Sequence, residues 1–441
     1  MQKRLFVISV DAMVTEDIDA MRALPNFRKL FVGGCEVAGG MTSIYPTVTY
    51  PIHVAMTTGC YAGKNGVVSN YGFTTGSTEK TWNFDSSVIK TETIFEAAKK
   101  AGYTTASVGW PVTGNNPYID YLANEYWMPN EGDTLLSSFR DAGSSPEVLE
   151  LIEKNKGLLP EGYEKGGRMN VMKWPEIDDF WVGLTCDLIE KYRPEVFFLH
   201  TGAFDHYRHT NGQFSSALIK AREDLEKYLG QIAASMEKAG VLKDTNFVMV
   251  SDHGQRNILR SVNLNVLLAR EGFITPDEDG KVKSWEAYCF SNAMSSLVYL
   301  RDPKDKDLKD NVYAVLNELL KADPGSGIGR VFTAEEAARE YALSGDFSFV
   351  LESDGLTSFG NKCAGPLMQT YDPSDFRFGK ATHGYRPEYG PQPVFIAKGP
   401  DFKENVLLEH SLIINEAPTY AALLGTSLKD ADGSALTMFL R

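Results

Sequence analysis

The sequence has few cysteines, no long apolar run and no excess of positive charge. Its five cysteines among 441 residues are odd in number, widely spaced and free of CxxC motifs, which argues against a disulfide framework and a thiolate zinc site. No stretch approaches the roughly 18 consecutive apolar residues of a membrane span. The net charge of −14 argues against stable binding of a nucleic acid backbone, which requires clustered cations.

The N-terminal segment shows no targeting signal. Leu5–Val10 is apolar but shorter than the core of a signal peptide, and no small-residue cleavage site follows it. We therefore expect a buried first strand and a cytoplasmic protein without a membrane span. Hydrophobic residues make up 43% of the chain and charged residues 23%, which is typical of a globular protein and excludes a disordered or collagenous one.

Strand and helix patterns alternate along the chain, which predicts an α/β fold with a central, mainly parallel sheet. The predicted strands are Leu5–Val10, Tyr103–Gly109, Val196–His200, Phe247–Val250 and Val394–Ala397, and the predicted helices are Ile18–Val32, Thr93–Ala101, Trp174–Tyr192, Gln213–Ala239 and Asn311–Ala322. Two segments fit this alternation poorly. We expect residues 112–173 to form an inserted cap and residues 256–380 a second inserted lobe within a single domain over residues 1–441.

Acidic and imidazole side chains occur where the predicted strands end. The six candidates are Asp11, Asp205, His209, Asp252, His253 and, before a further strand, His383. Because the carboxyl ends of parallel strands share one edge of a sheet, we expect these side chains to converge there. Mixed nitrogen and oxygen ligands favour zinc, with Mn²⁺ or Fe²⁺ as alternatives, and six ligands suit two ions better than one. Two ions roughly 4 Å apart can act on both oxygens of a phosphoryl transfer.

The remaining four histidines are assigned to packing or to contacts with the ligands. They are His53, His200, His206 and His410. A nucleophile candidate occurs in the segment 44–59, where Pro51 is suited to the first position of a helix that ends at Gly59. Thr49 would then lie at the positive end of that helix, where a bound dication would favour its alkoxide. Thr47 is the rival hydroxyl, and a helix cap is the structural alternative for Thr49.

These motifs together resemble the alkaline phosphatase superfamily, and most closely its nucleotide pyrophosphatase/phosphodiesterase branch. The motifs are Asp11, Pro-Thr-x-Thr-Tyr-Pro-x-His around Thr49, Asp205-x-x-x-His209, Asp252-His253-Gly254 and His383-Gly384-Tyr385. The resemblance extends from residue 11 to about residue 400. It implies a three-layer α/β/α fold, alkaline phosphatase-like, with inserted cap segments.

The resemblance also implies a role for each candidate residue. One zinc ion would be held by Asp205, His209 and His383, and the other by Asp11, Asp252 and His253, with Thr49 as its nucleophilic ligand. The family has an asparagine 21 residues after the nucleophile, and Asn70 has this spacing from Thr49, which favours Thr49 over Thr47. Thr49 would attack phosphorus and form a phosphothreonine that water hydrolyses. Asn70 would donate a hydrogen bond to a phosphoryl oxygen.

Charge counting bears on the substrate class. Two zinc ions, three aspartates and a Thr49 alkoxide give a neutral site, which favours the monoanion of a small phosphodiester or nucleotide over a phosphomonoester dianion. Three aromatic residues are candidates for stacking on a nucleobase, namely Tyr71, Phe73 and Trp110.

Other activities remain as alternatives. A phosphomonoesterase of the same superfamily is one. A C–P bond hydrolase of the phosphonoacetate hydrolase kind is another, and it would need a cation for the substrate carboxylate, which Lys64, Arg386 or a lysine of the inserted segment could supply. A third is a catalytically silent binding fold. Sulfatase chemistry is disfavoured because position 49 is threonine rather than a modifiable cysteine.

Overall fold

The structure is a computed structural model that describes residues 2–74, 77–78, 80–125, 132–160, 174–323, 325–370 and 379–441. Within these ranges the largest sheet has eight strands. From edge to edge they are Val406–Leu408, Cys35–Val37, Phe395–Lys398, Thr245–Val250, Arg4–Val10, Val196–Thr201, Thr105–Val108 and Tyr121–Ala123. Neighbouring strands are parallel except at Phe395–Lys398, which runs opposite to both of its neighbours. The predicted mainly parallel sheet is confirmed.

Alternate side chains of the central strands pack into two separate apolar layers. On the strand Arg4–Val10, Leu5 and Val7 belong to one buried cluster, whereas Phe6 and Ile8 belong to the other. This period of two follows from strand geometry, in which successive side chains point to opposite faces. Burial on both faces is typical of a parallel sheet covered by helices on each side. The predicted three-layer α/β/α arrangement is therefore confirmed.

Helices cover both faces of the sheet. In chain order they are Thr15–Arg22, Pro25–Phe31, Thr49–Thr58, Ala62–Asn65, Ile94–Lys100, Leu135–Asp141, Pro146–Asn155, Trp174–Tyr192, Ala203–Asn211, Leu218–Lys238, Leu264–Arg270, Lys306–Ala322, Ala334–Tyr341 and Glu416–Leu423. The helices Thr49–Thr58, Ile94–Lys100 and Glu416–Leu423 pack on the face of Leu5 and Val7. Within the described ranges, every helix is too short or too polar to cross a lipid bilayer.

The prediction of a single helix over residues 18–32 is wrong. Two helices stand in its place, Thr15–Arg22 and Pro25–Phe31, and Pro25 is the first residue of the second. Leu24 has an extended backbone with ψ 138° because proline disfavours the helical conformation in the residue before it. By contrast, the helix Trp174–Tyr192 has the predicted bounds.

The described part of segment 112–173 contributes to the main layers. The strand Tyr121–Ala123 forms one edge of the central sheet. The helices Leu135–Asp141 and Pro146–Asn155 join the apolar cluster that contains Phe6 and Ile8. Residues 126–131 and 161–173 lie outside the described residues. The assignment of this segment as a cap over the site stays a prediction.

Segment 256–380 forms small sheets of its own. One antiparallel sheet consists of Ala287–Asn292, Ser295–Leu300, Phe349–Ser353 and Ile328–Thr333, and a mixed sheet consists of Thr357–Phe359, Arg260–Val262 and Met368–Thr370. Short pairs elsewhere are Met41–Thr42 with Ser411–Leu412, Tyr71–Phe73 with Lys80–Trp82, Arg256–Asn257 with Ala381–Thr382, and Ile274–Pro276 with Val282–Trp285. Apolar side chains of the two larger sheets continue the cluster of Leu5 and Val7.

The five cysteines are free thiols, as their wide spacing predicts. Four of them are buried, namely Cys35, Cys60, Cys289 and Cys363, and Cys186 is partly exposed. Burial raises the pKa of the Cys289 thiol above its usual value, as expected for a small apolar side chain in a core.

Candidate active site and metal centre

The helix Ala203–Asn211 carries two of the predicted metal ligands. It begins after the carboxyl end of the strand Val196–Thr201, so its first turn lies at the edge of the sheet where the other ligands were expected. Asp205 and His209 are four residues apart and therefore share one face of this helix. Asp205 Oδ2 lies 3.3 Å from His209 Nε2.

Two residues that the sequence did not identify hold this helix in place. The buried carboxylate of Asp178 accepts hydrogen bonds of 3.1 Å from the backbone N–H groups of Gly202 and Ala203, which caps the start of the helix. Gln255 donates its side-chain amide to the carbonyl of Asp205 at 3.0 Å and also to the Asp205 carboxylate. Gln255 lies in the loop that follows the predicted ligands, but Asp178 has no sequence signal because its role depends on tertiary packing.

His383 reaches the same edge of the sheet because the next strand runs in the opposite direction. The strand Phe395–Lys398 is antiparallel to Thr245–Val250, and Phe395 pairs with Val250. The loop before an antiparallel strand lies at the carboxyl end of its parallel neighbours. The direction of this strand explains why His383, which precedes its strand, lies near ligands that follow theirs.

Asp205, His209 and His383 form the first group of residues that could hold a metal ion, here called the first triplet. One carboxylate oxygen and two ring nitrogens of these residues lie within 4.8 Å of one another. His209 and His383 direct Nδ1 at the backbone carbonyls of Ala381 and Thr47, at 2.8 and 3.1 Å. Donation from Nδ1 leaves the lone pair on Nε2, the arrangement that metal-binding histidines commonly use.

Asp11, Asp252 and His253 lie beside the first triplet. His253 Nε2 is 3.7 Å from Asp11 Oδ1 and 3.2 Å from Asp252 Oδ2. The second triplet with ligating atoms within 4.8 Å of one another consists of Asp11, Asp205 and His253. Asp205 therefore borders both groups, whereas the sequence placed it in one. The rings of His253 and His383 stack with their centroids 4.0 Å apart and connect the two groups.

The carboxylates of Asp11 and Asp252 are buried side by side. Asp11 is 4% exposed and Asp252 is fully buried, and Asp11 Oδ1 and Asp252 Oδ2 have no hydrogen-bond partner among the described residues. Burial, followed by the negative charge of Asp252, raises the pKa of Asp11 well above its usual value. Burial also raises the pKa of Asp252. Adjacent buried carboxylates are stable as anions only beside a cation, so these oxygens fit a metal ion.

Asp205, His253 and His383 have protonation states that suit a metal. Burial lowers the pKa of His253 to about 4 and the pKa of His383 well below its usual value, so both imidazoles are neutral at neutral pH. Burial alone would raise the pKa of Asp205, but the charge and hydrogen bond of His209 hold that pKa below its usual value. Neutral imidazoles and ionised carboxylates are the forms that bind divalent cations.

Thr49 is the first residue of the helix Thr49–Thr58. This helix ends at Gly59, as predicted, but it begins two residues before Pro51, since proline is tolerated throughout the first turn of a helix. The Thr49 hydroxyl lies 3.3 Å from His253 Nε2. The structure therefore places this hydroxyl at the positive end of a helix and beside His253 of the second triplet.

The rival hydroxyl of Thr47 is occupied by structural hydrogen bonds. It donates to the carbonyl of Tyr385 at 2.8 Å and accepts from the backbone N–H of Gly384 at 3.1 Å. The carbonyl of Thr47 accepts the Nδ1 hydrogen bond of His383. Thr47 thus fixes the loop that presents His383, and its buried hydroxyl is not available to attack a substrate.

Asn70 lies beside the start of the same helix. Its Oδ1 accepts a hydrogen bond of 2.9 Å from the backbone N–H of Tyr50. This bond fixes which side of the amide is oxygen, because only the oxygen can accept it. In the part of the chain that the structure describes, Nδ2 of the half-buried Asn70 donates to no other residue. It can therefore donate to an anion held next to Thr49.

Glu125 is a buried carboxylate near the site that the sequence did not identify. It accepts a hydrogen bond of 2.7 Å from the Tyr50 hydroxyl, which in turn accepts one of 2.7 Å from the indole of Trp82. Burial raises the pKa of Glu125 to about 8. When it is ionised, its negative charge also adds to the raised pKa of Asp11. Glu125 follows the edge strand Tyr121–Ala123, within the segment expected as a cap.

Of the four histidines assigned to packing or to contacts with the ligands, two contact the site. His53 Nδ1 donates to the carbonyl of Thr49 at 2.8 Å, and His200 Nε2 lies 3.3 Å from Asp11 Oδ2. The other two are His206, which is buried, and His410, which is exposed. None of the four belongs to a group of metal-ligating atoms among the described residues.

The aromatic residues proposed for nucleobase stacking are mainly part of the core. Trp110 is fully buried, with its ring edge-on to His53. The Phe73 ring packs against Tyr299, with centroids 4.2 Å apart. Tyr71 is 37% exposed, so of the three candidates it has the most accessible ring.

Two of the cations considered for a substrate carboxylate, Lys64 and Arg386, are paired. Lys64 Nζ lies 2.8 Å from Asp432 Oδ1. The Arg386 guanidinium lies 3.8 Å from the carboxylates of Glu352 and Glu388. Neither side chain is therefore available for a substrate without breaking an ion pair.

Comparison with known proteins identifies relatives of this chain. A venom phosphodiesterase of Naja atra is 23% identical over 262 residues, which cover 58% of this chain and 27% of that protein. Ectonucleotide pyrophosphatase/phosphodiesterase 2 of Saccharomyces cerevisiae is 23% identical over 311 residues, which cover 68% of this chain and 56% of that protein. The matches thus span between about a quarter and about half of the length of these relatives.

The solved structures of ectonucleotide pyrophosphatase/phosphodiesterase 5 share the fold. The human protein superposes with a TM-score of 0.68 and the murine protein with 0.66, each at 18% identity over 100% of both chains. An inactive form of the murine protein, with a TM-score of 0.67, was solved in complex with AMP. The protein-family model described as type I phosphodiesterase / nucleotide pyrophosphatase matches residues 5–385. This range includes every candidate metal ligand. The chain therefore belongs to the type I phosphodiesterase / nucleotide pyrophosphatase family.

Proposed function

We propose that this protein hydrolyses phosphodiester or pyrophosphate bonds in small molecules, nucleotides among them. Family membership supports this reaction class, as do the relatives named as venom phosphodiesterases. The AMP complex of the structurally similar murine protein supports a nucleotide as one substrate. The observation that supports the proposal most directly is the position of the Thr49 hydroxyl. It lies at a helix N-terminus, 3.3 Å from His253 Nε2 and beside two groups of residues that could hold a metal ion.

Two zinc ions fit these groups of ligands. Asp205, His209 and His383 would hold one ion, and Asp11, Asp252 and His253 would hold the other, with Thr49 next to it. The orphaned oxygens of the buried aspartates support this assignment, because they lack the positive partner that their charges require. When bound, the ions would supply positive charge for the attacking and leaving oxygens of a phosphoryl transfer.

The protein residues would then act in two displacements. The Thr49 hydroxyl loses its proton and Oγ forms a bond to phosphorus. The alcohol or phosphate leaving group departs with the bonding electron pair and takes up a proton. Asn70 Nδ2 donates a hydrogen bond to a phosphoryl oxygen as its negative charge increases. Water then loses a proton and attacks the phosphothreonine from the opposite side. The bond between Thr49 Oγ and phosphorus breaks, Oγ takes up a proton, and the phosphomonoester product leaves.

The alternative of phosphonate cleavage has less support. A phosphonoacetate substrate carries a carboxylate that needs a cationic partner. Two of the three candidates, Lys64 and Arg386, lie in ion pairs with Asp432 and with two glutamates. A diester needs no such cation, so the pairing of these side chains favours phosphodiester hydrolysis.

A substrate comparison tests the proposed reaction. The zinc-loaded protein is assayed with bis(4-nitrophenyl) phosphate, thymidine 5′-(4-nitrophenyl phosphate), 4-nitrophenyl phosphate and phosphonoacetate. We expect kcat/KM to be highest for the two diesters and to vanish when EDTA removes the metal. The Thr49→Ala variant is the control for contaminating hydrolases.

Each other outcome identifies a different function. Preferential turnover of phosphonoacetate would establish C–P bond cleavage, and preferential turnover of 4-nitrophenyl phosphate would establish a phosphomonoesterase. Zinc binding without turnover of any of the four compounds would favour a binding protein.

A further inference from the structure

Arg208 is a buried arginine beside the metal ligands, and neither the sequence motifs nor the proposed reaction assigns it a role. Its side chain is fully buried. Its guanidinium donates to the carbonyl of Ala12 at 3.0 Å, to the carbonyl of Gln213 and to the carboxylate of Asp17. An arginine is costly to bury, and its rigid fork is suited to holding several acceptors in a fixed arrangement.

Ala12 connects this guanidinium to the second group of ligands. Ala12 follows Asp11 directly and has a left-handed backbone with φ 57°, which is unfavourable for a residue with a side chain. Its N–H donates to Asp252 Oδ1 at 3.2 Å, and its carbonyl accepts from Arg208 Nε at 3.0 Å. Such a conformation persists only where the surrounding contacts determine it.

The position of Arg208 in its helix connects it to the first group of ligands. It lies between Asp205 and His209 on the helix Ala203–Asn211, three residues after Asp205 and directly before His209. One side chain therefore joins the helix that carries two ligands of the first triplet to the turn that carries Asp11.

We propose that Arg208 is a positioning residue that fixes the separation of the two metal sites by clamping the Asp11–Ala12 turn to the helix of Asp205 and His209. This inference rests on the proposed two-metal function. Two ions can act on one phosphoryl group only at a defined separation. Loosening the clamp would therefore weaken the binding of the second ion and change the separation of the pair.

Two substitutions remove the hydrogen bonds of Arg208 to different extents. Arg208→Met keeps the length and apolar packing of the side chain but removes every donor. Arg208→Lys keeps the charge near Asp17 but cannot serve three acceptors with a rigid fork. The matched control is Arg222→Met on the helix Leu218–Lys238, because Arg222 donates to the carbonyl of Leu218 in its own helix and does not contact the ligands.

Cobalt binding reports on the metal pair without requiring turnover. Metal-free proteins are titrated with Co²⁺ by calorimetry, and electron paramagnetic resonance measures the magnetic coupling of the two ions. Circular dichroism establishes that each variant is folded. In Arg208→Met we expect the second Co²⁺ to bind 10–100-fold more weakly and the coupling signal to change, as is typical when a residue that orients ligands is lost. Arg208→Lys should be intermediate, and Arg222→Met should match the wild type.

The inference is overturned if folded Arg208→Met binds both ions with wild-type affinity and coupling. If Arg208→Met does not fold, Arg208→Lys decides, and wild-type binding by that variant overturns the inference. Binding of fewer than two Co²⁺ ions by the wild type would also overturn it. If the wild type binds a coupled pair but hydrolyses no diester, the proposed function fails while the role of Arg208 stands.

Discussion

The backbone N–H of Tyr50 donates a hydrogen bond of 2.9 Å to Oδ1 of Asn70. Tyr50 directly follows Thr49, so this bond attaches Asn70 to the first turn of the helix that presents the proposed nucleophile. The amide oxygen is fixed, and Nδ2 is left to donate to a phosphoryl oxygen bound at Thr49. The structure thus supplies a physical reason for an asparagine at this distance from the threonine in the sequence.

Loss of the Asn70 amide should slow the reaction. We expect Asn70→Ala to lower kcat by about 10²-fold, as is typical when one donor to a developing negative charge is removed. Asn70→Asp tests the donor itself, because its carboxylate still accepts from Tyr50 but presents an acceptor in place of Nδ2. It should be at least as slow as Asn70→Ala. Steady-state kinetics with a nitrophenyl diester measure both variants.

The control for these variants is Asn317→Ala, since Asn317 donates to the carbonyl of Tyr313 on a surface helix. It should have wild-type kcat. An unchanged kcat in Asn70→Ala would contradict a role in the transition state and make Asn70 a structural residue of this loop.

The two threonines of the segment should have separable roles. Thr49→Ala should abolish turnover and retain both metal ions, because it removes one hydroxyl from the end of a helix. Thr47→Val should instead weaken zinc binding, because the hydroxyl of Thr47 bonds the backbone of Gly384 and Tyr385 and so holds the His383 loop. Zinc content and kcat of both variants separate the two effects. Near-normal turnover by Thr49→Ala would exclude it as the nucleophile.

The buried carboxylate of Glu125 predicts a pH-dependent stability. Burial raises its pKa from 4.5 to about 8, so between these values the folded protein holds a proton that the unfolded chain has lost. Stability from this group is therefore complete below pH 4.5 and decreases as the pH rises towards 8. Gln at position 125 is neutral at every pH. The free energy of unfolding of Glu125→Gln should therefore rise relative to that of the wild type by up to about 1.4 kcal/mol per pH unit across this window.

Urea unfolding of the metal-free proteins between about pH 5 and pH 8 measures this difference. Glu404→Gln is the matched control, because Glu404 lies at the surface with its side chain 71% exposed. A difference between Glu125→Gln and the wild type that does not vary with pH would show that the Glu125 carboxyl is not protonated in the folded protein.

The site residues that the sequence could predict are those tied to strand ends. Asp11 directly follows the strand Arg4–Val10, and Asp252 lies two residues after the strand Thr245–Val250, its parallel neighbour. The runs of apolar residues in the sequence locate both strands. Because the carboxyl ends of parallel strands lie at one edge of a sheet, the two side chains are expected to lie close together. His383 follows a different rule, because its loop precedes the antiparallel strand Phe395–Lys398, and strand direction has no signature in the local sequence.

The residues that support the ligands could not be predicted, because their partners are distant in the chain. Asp178 caps the helix of Asp205 through two backbone groups, and Glu125 bonds the side chain of Tyr50. Both contacts depend on how separate elements pack. The break at Pro25 is different, since proline marks it in the sequence, but the regular spacing of apolar residues across it favoured one continuous helix.

The metal content of the reconstituted protein tests the central claim most directly. After removal of metal and dialysis against zinc, mass spectrometry of the digested protein gives the number of ions per chain. We expect two zinc ions in the wild type and in Thr49→Ala, and about one in Asp252→Asn and in His383→Ala, since each of these two variants loses a ligand of one site. Fewer than two ions in the wild type, or two ions in both ligand variants, would contradict a paired-metal centre built from these residues.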